Sequence, residues 1–170
     1  MIFSYLFIFF AKIIEVALMT IRTVLITRGE KVYGAVIGFF EVMIWLYVIN
    51  TVLNGIQNDP ARMIAYALGF SCGNFVGCTL EEKLALGVLT INAITAEENG
   101  QRLAEILRDN HIGVTMMDAE GINDVKKMLI IHAKRKNKKQ ILKVIEDSGI
   151  NAVVSINDTK TIYGGYGLRK

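Results

Sequence analysis

The sequence predicts a membrane α-helical domain of three transmembrane helices, followed by an α+β ferredoxin-like domain of order βαββαβ. Three observations predict it. The apolar runs Ile2 to Ile26, Val32 to Leu53 and Met63 to Leu80 are each close to the ~20 residues that a helix needs to cross a bilayer. Charge is divided unevenly, with nine charged side chains in residues 1–80 and twenty-six in residues 81–170. A membrane part therefore gives way to a water-soluble part long enough to bury its own core. Beyond Leu80 the long apolar runs are replaced by the shorter periods of strands and amphipathic helices. The expected domains are a three-helix unit over 1–80, a linker over 81–86 and a ferredoxin-like unit over 87–170.

The first run is expected to remain as a helix. It has no basic segment ahead of it, is long for a signal peptide and is followed by no small-residue cleavage site. It carries Lys12, Glu15 and Arg22, and the second run carries Glu41. Spacings of three and seven place Lys12, Glu15 and Arg22 on one helical stripe. An ionisable group at membrane depth costs at least ~2.5 kcal/mol, so it faces a partner or a cavity rather than lipid. Two readings follow. Lys12–Glu15 and Arg22–Glu41 form buried ion pairs that set helix register, or Glu15 and Glu41 exchange protons or bind a cation or substrate.

The third run contains Gly69, Gly73 and Gly77, and glycines four apart clear a face for close approach of another backbone. Ser71, Asn74, Asn50 and Asn54 are expected to add interhelical hydrogen bonds. Three helices with charges on two of them point to oligomerisation as the way to cover polar groups. Cys72 and Cys78 lie on different faces of the third helix and read as reduced, buried thiols.

The first link, Thr27 to Lys31, carries Arg28 and Lys31, whereas the second, Asn54 to Arg62, sets Asp59 against Arg62. The positive-inside rule then predicts a multi-pass cell-membrane protein with its N-terminus outside and its C-terminal domain in the cytoplasm.

In the second part, Gly87 to Ile94 alternates as a strand. Glu97 to Asn110 is a helix with acidic residues at its positive end. Gly113 to Asp118 is a strand, Asp118 to Asp124 a turn and Val125 to Ala133 a strand. Asn137 to Ser148 is a helix stopped by Gly149, and Ile150 to Ile156 is the last strand. Two right-handed crossovers joined by a hairpin place both helices on one sheet face. The other face is expected to be covered by oligomer packing.

Lys134, Arg135, Lys136, Lys138 and Lys139 gather where the third strand meets the second helix. They read as a collar against anionic headgroups or as an anion site at a helix N-terminus. The run is short and lacks aromatics, which excludes nucleic acid. His111 and His132 are isolated, and His132 reads as a packed or solvent-facing strand residue rather than a ligand. The tail, with Gly164, Gly165 and Gly167, reads as a closing segment or as part of an intersubunit ligand pocket. No catalytic set, metal spacing or dinucleotide fingerprint is present, so no enzyme activity, metal or cofactor is expected.

The segments EVALMTIRTVLITRG, GFFEVMIW and GFSCGNFVGCTLEEKLALG resemble the uncharacterised bacterial membrane proteins that include YebE. The C-terminal part resembles the cytoplasmic domain of YitT-type proteins, which is PII-like in shape. The resemblance implies three membrane helices in the plasma membrane and a ferredoxin-like domain. It also implies that such domains form trimers and bind nucleotides between subunits. The partners expected from the whole reading are the lipid bilayer, further copies of the chain, and a small anionic or nucleotide ligand. The leading expectation is an oligomeric sensor that binds an anion through Lys134 to Lys139 and the glycine tail. A small transporter using Glu15 and Glu41 and a structural assembly module are the alternatives.

Overall fold

The computed structural model describes residues 2–54 and 59–167 and divides into two compact units, Met1–Leu84 and Ala85–Lys170. The middle of the second helix link and the last three residues of the tail lie outside the described residues.

The first unit consists of α1 (Ile2–Thr27), α2 (Lys31–Leu53) and α3 (Ala61–Leu84). All three are long and apolar enough to span a membrane. α1 lies between the other two, which touch each other little. Toward α1, α2 turns Gly34, Glu41 and Val48, a spacing of seven that keeps one side inward over two turns. α3 turns Gly69, Gly73 and Gly77 inward. α3 runs past Leu80 to Leu84, so most of the expected linker is helix: Glu81, Glu82 and Lys83 are strong helix formers that end the apolar run without ending the helix. The chain then turns at Ala85 and Gly87, both at positive φ. Cys72 and Cys78 are exposed, because the helix buries only its glycine stripe.

The second unit is β1 (Val88–Ala96), α4 (Glu97–Asp109), β2 (Thr115–Glu120), β3 (Val125–Lys134), a 3-10 turn (Arg135–Asn137), α5 (Lys138–Asp147) and β4 (Ala152–Thr159). The strands lie in the order β2-β3-β1-β4, with every pair antiparallel. Strand ends differ from the expected ones where pairing decides them. β1 continues to Ala96 opposite Lys126, and β4 continues to Thr159 opposite Val88.

Alternate residues build the core. Leu89, Ile91 and Ala93 of β1 and Leu129, Ile131 and Ala133 of β3 pack under Leu103 and Leu107 of α4 and Ile141 and Ile145 of α5. Each large side chain buried this way is worth about 1.5–3 kcal/mol. The other face carries Met117, Met128, Ile94 and Val153 in one row across all four strands.

Candidate functional site

Two groups of polar side chains stand out, one in each unit. In the helical unit Lys12 and Glu15 are 3% and 4% exposed. The Lys12 ammonium donates to both carboxylate oxygens of Glu15, at 2.7 and 2.9 Å. It also lies 4.3 Å from the centroid of the Tyr66 ring, a cation–π contact that meets its remaining side. Both Glu15 oxygens are therefore engaged by the Lys12 ammonium, which neutralises the buried carboxylate.

Arg22 reaches Glu41 across the α1–α2 seam. Its Nη2 donates to Oε1 at 3.1 Å, and its Nε lies 2.6 Å from Oε2 as an ion contact off the hydrogen-bond direction. The reach depends on Gly38, where a Cβ would stand 3.1 Å from Arg22 Cδ.

At the far end of α1, Tyr5 donates to Asp59 at 2.6 Å, and Arg62 donates to the Thr51 carbonyl at 2.8 Å. The Tyr5 hydrogen bond, more than the Arg62 contact, holds the Asp59 carboxyl below its ordinary value. A depressed carboxylate pKa contributes stability above the unfolded pKa, which is lost as pH falls through the folded pKa. Thermal unfolding of the detergent-solubilised chain should therefore weaken below about pH 4, and Asp59→Asn should remove that part of the acid dependence. Identical acid profiles for the two chains would show that the Tyr5–Asp59 contact carries no stability.

The second group is assembled by the end of α4. His111 takes φ +57°, while the Ile112 amide bonds the Leu107 carbonyl at 2.9 Å and the His111 amide bonds that of Arg108 at 2.8 Å. This is the Schellman closure of a helix, with histidine in the place usually taken by glycine. It turns Ile112 and Gly113 under the sheet edge and leaves Arg108 in the last helical turn.

Two hollows meet there. One, of about 470 Å³, is lined by Arg108, Thr115, Ile130, His132, Gly165 and Tyr166 among others. Its neighbour, of about 280 Å³, is lined by Lys134, Asn137, Gln140, His132, Tyr166 and Gly167 among others. Among the described residues no carboxylate lines either hollow. Arg108 and Lys134 make no ion pair with a described residue.

His132 is anchored from behind. Its Nδ1 lies 3.0 Å from the Thr90 hydroxyl, which lies 2.9 Å from the Thr159 hydroxyl. When Thr90 donates to Nδ1, the neutral ring carries its proton on Nε2 and has a second donor to offer.

The tail closes over this corner. Gly164, Gly165 and Gly167 all have positive φ, which only glycine adopts freely. A Cβ on Gly113 would stand 3.0 Å from that of Tyr166, so the tail crosses the connection between α4 and β2 where a side chain is missing.

Of the basic cluster read from the sequence, Lys134 lines the second of these two hollows and the other four residues line neither. Arg135 turns to Asp158 at 3.6 Å, and Lys136, Lys138 and Lys139 are exposed. Gly165 and Gly167 line the hollows, whereas a Cβ on Gly164 would meet open space. Among the described residues no group of three or more His, Cys, Asp or Glu is placed to hold a metal ion.

Comparison with known proteins gives two family models. A "Domain of unknown function (DUF5698)" matches residues 20–78, and an "Uncharacterized protein conserved in bacteria (DUF2179)" matches residues 112–164. The second falls within the part that the sequence likens to YitT-type proteins. The UPF0316 proteins of Clostridium botulinum strains Hall and 657 are each 68% identical over 170 residues, covering 100% of both chains. The UPF0316 protein of Alkaliphilus metalliredigens strain QYMF is 33% identical over 166 residues, covering 98% of this chain and 95% of its own. These relatives carry the UPF0316 name rather than that of YebE. A functionally unknown protein from Pediococcus pentosaceus has a solved structure at a TM-score of 0.44 and 11% identity. It covers 47% of this chain and 99% of its own.

Proposed function

The chain belongs to the UPF0316 family, and on that premise we propose that it is a membrane-anchored regulator whose C-terminal domain binds a small anion. We read that domain as ferredoxin-like and PII-like, the helices as spanning the plasma membrane with the domain in the cytoplasm, and the working form as an oligomer. The observation that carries the reading is the pair of adjoining hollows. Arg108, His132 and Lys134 converge on them, no carboxylate of the described residues lines them, and a glycine-rich tail lies over the opening. Basic groups that share an unneutralised concavity are favourably placed for an anion.

The connection to the membrane unit is short. α3 ends at Leu84 and β1 begins at Val88, so a shift of β1 on binding is delivered within three residues to a helix end.

Lys136, Lys138 and Lys139 take a different part in this proposal, as the headgroup collar. Each such residue near an anionic leaflet is worth about 1 kcal/mol. The two roles are separable by titrating purified full-length protein in nanodiscs with inorganic pyrophosphate, followed by calorimetry. Arg108→Ala should weaken binding at least tenfold, in keeping with about 1.5–3 kcal/mol for a hydrogen bond to a charged group. Simultaneous replacement of Lys136, Lys138 and Lys139 by Ala should leave it within about twofold. The reverse pattern would move the site to the lysine run, and no binding to the parent protein would remove the anion reading.

A further inference from the structure

α3 has two working faces and α1 uses one of them. Gly69, Gly73 and Gly77 are buried against α1. On the other side Ile64, Ala67, Ser71, Asn74 and Cys78 follow one another at spacings of three and four. That is the repeat by which one helix keeps a single stripe against another. Ile64, Ala67, Ser71 and Cys78 are exposed and Asn74 is partly exposed.

Asn74 lies about midway along the 24-residue α3. The Asn54 side-chain amide donates to the Asn50 side-chain oxygen at 2.9 Å, but the Asn74 amide has no side-chain partner among the described residues. At membrane depth there is no water to provide one, and an unpaired amide in hydrocarbon costs several kcal/mol.

We infer that this stripe is the contact between α3 and the α3 of a second copy of the chain, closed by hydrogen bonds between the two Asn74 side chains. The occupant follows from the chemistry. A carboxamide both donates and accepts, so it is complementary to itself across a two-fold axis. Copies inserted with the same topology are parallel, so that axis brings equal positions together. Ala67, Ser71 and Cys78 are small, which lets the two backbones approach closely. Pairing through this face leaves the glycine face on α1 undisturbed. The inference rests on the membrane placement of α3 and does not depend on the anion site.

The native cysteines test it. Cys78 shares the stripe with Asn74, one turn further on, whereas Cys72 lies about half a turn away around the helix. Full-length protein in liposomes is oxidised with copper phenanthroline after carbonate extraction has shown that it is integral. The parent and Cys72→Ser chains should form a disulfide-linked dimer, and Cys78→Ser should not. Asn74→Leu, which places an apolar side chain on a lipid-facing surface, should weaken dimerisation roughly threefold to thirtyfold at fixed protein-to-lipid ratio. Should Asn74→Leu fail to insert, Ser71→Cys in a cysteine-free chain replaces it and should cross-link as Cys78 does. Cross-linking through Cys72 as readily as Cys78, an unchanged yield in Asn74→Leu, or a monomer throughout would each overturn the assignment. Release of the chain by carbonate would instead overturn the membrane placement beneath it.

Discussion

Glu15→Ala should destabilise the helical unit by about 3–5 kcal/mol, the cost of leaving a buried charge without its partner. Lys12 is almost wholly enclosed, and its ammonium takes both Glu15 oxygens within hydrogen-bond distance. Removing the carboxylate leaves it the faces of Tyr66 and Phe70, which are weaker partners. Replacing both residues, as Lys12→Met with Glu15→Met, should recover most of the loss, because an apolar pair of similar volume carries no desolvation penalty. Thermal unfolding in a mild detergent distinguishes the cases. A double variant as unstable as Glu15→Ala would mean that the pair itself holds the helices, and a stable Glu15→Ala would mean that Lys12 finds another partner.

The second large effect is expected at the centre of the α1–α3 seam. A Cβ on Gly73 would stand 2.7 Å from Val16 Cβ and 3.2 Å from Ile13 Cα, closer than atoms pack. The obstruction includes backbone, so no rotamer change relieves it. Gly73→Leu should separate the helices and cost at least the 1–3 kcal/mol typical of overpacking, and Gly73→Ala should cost less. Thermal unfolding of the detergent-solubilised chain reports the loss. A midpoint unaffected by Gly73→Leu would show that the glycine stripe is not the contact that holds α3.

The charged stripe of α1 is visible in the spacing of Lys12 and Glu15, since residues three apart on a helix are neighbours whatever surrounds them. The glycine spacing of α3 likewise reveals a contact face, although its partner, Phe9 to Thr20 of the same chain, is a matter of three-dimensional packing. The hollow of the second unit is harder to read. Arg108, Thr115, His132 and Tyr166 lie far apart along the chain, and strand order, the turn at His111 and the path of the tail bring them together. The run from Lys134 to Lys139 draws attention because its charges are adjacent, yet adjacency at a helix start spreads side chains around the axis instead of focusing them. A usable sign was Tyr166, an aromatic set between glycines, which marks a side chain carried on freely turning backbone.

The arrangement of α2 and α3 on either side of α1 makes the first helix a hub with two spokes. Each outer helix is held by its own seam, one sealed by Arg22 and Glu41 and the other by the glycine stripe. Where α2 and α3 do meet, Arg62 donates to the Thr51 carbonyl, and Ala65 and Tyr66 pack against the cluster of Ile8, Val48 and Val52. The three helices are tied together at that end, whereas toward Arg22 and Gly77 a disturbance in one seam reaches the other through displacement of α1. Damage to the two seams at the Arg22 end should then accumulate additively, and the freedom of each outer helix is confined to that half of the bundle.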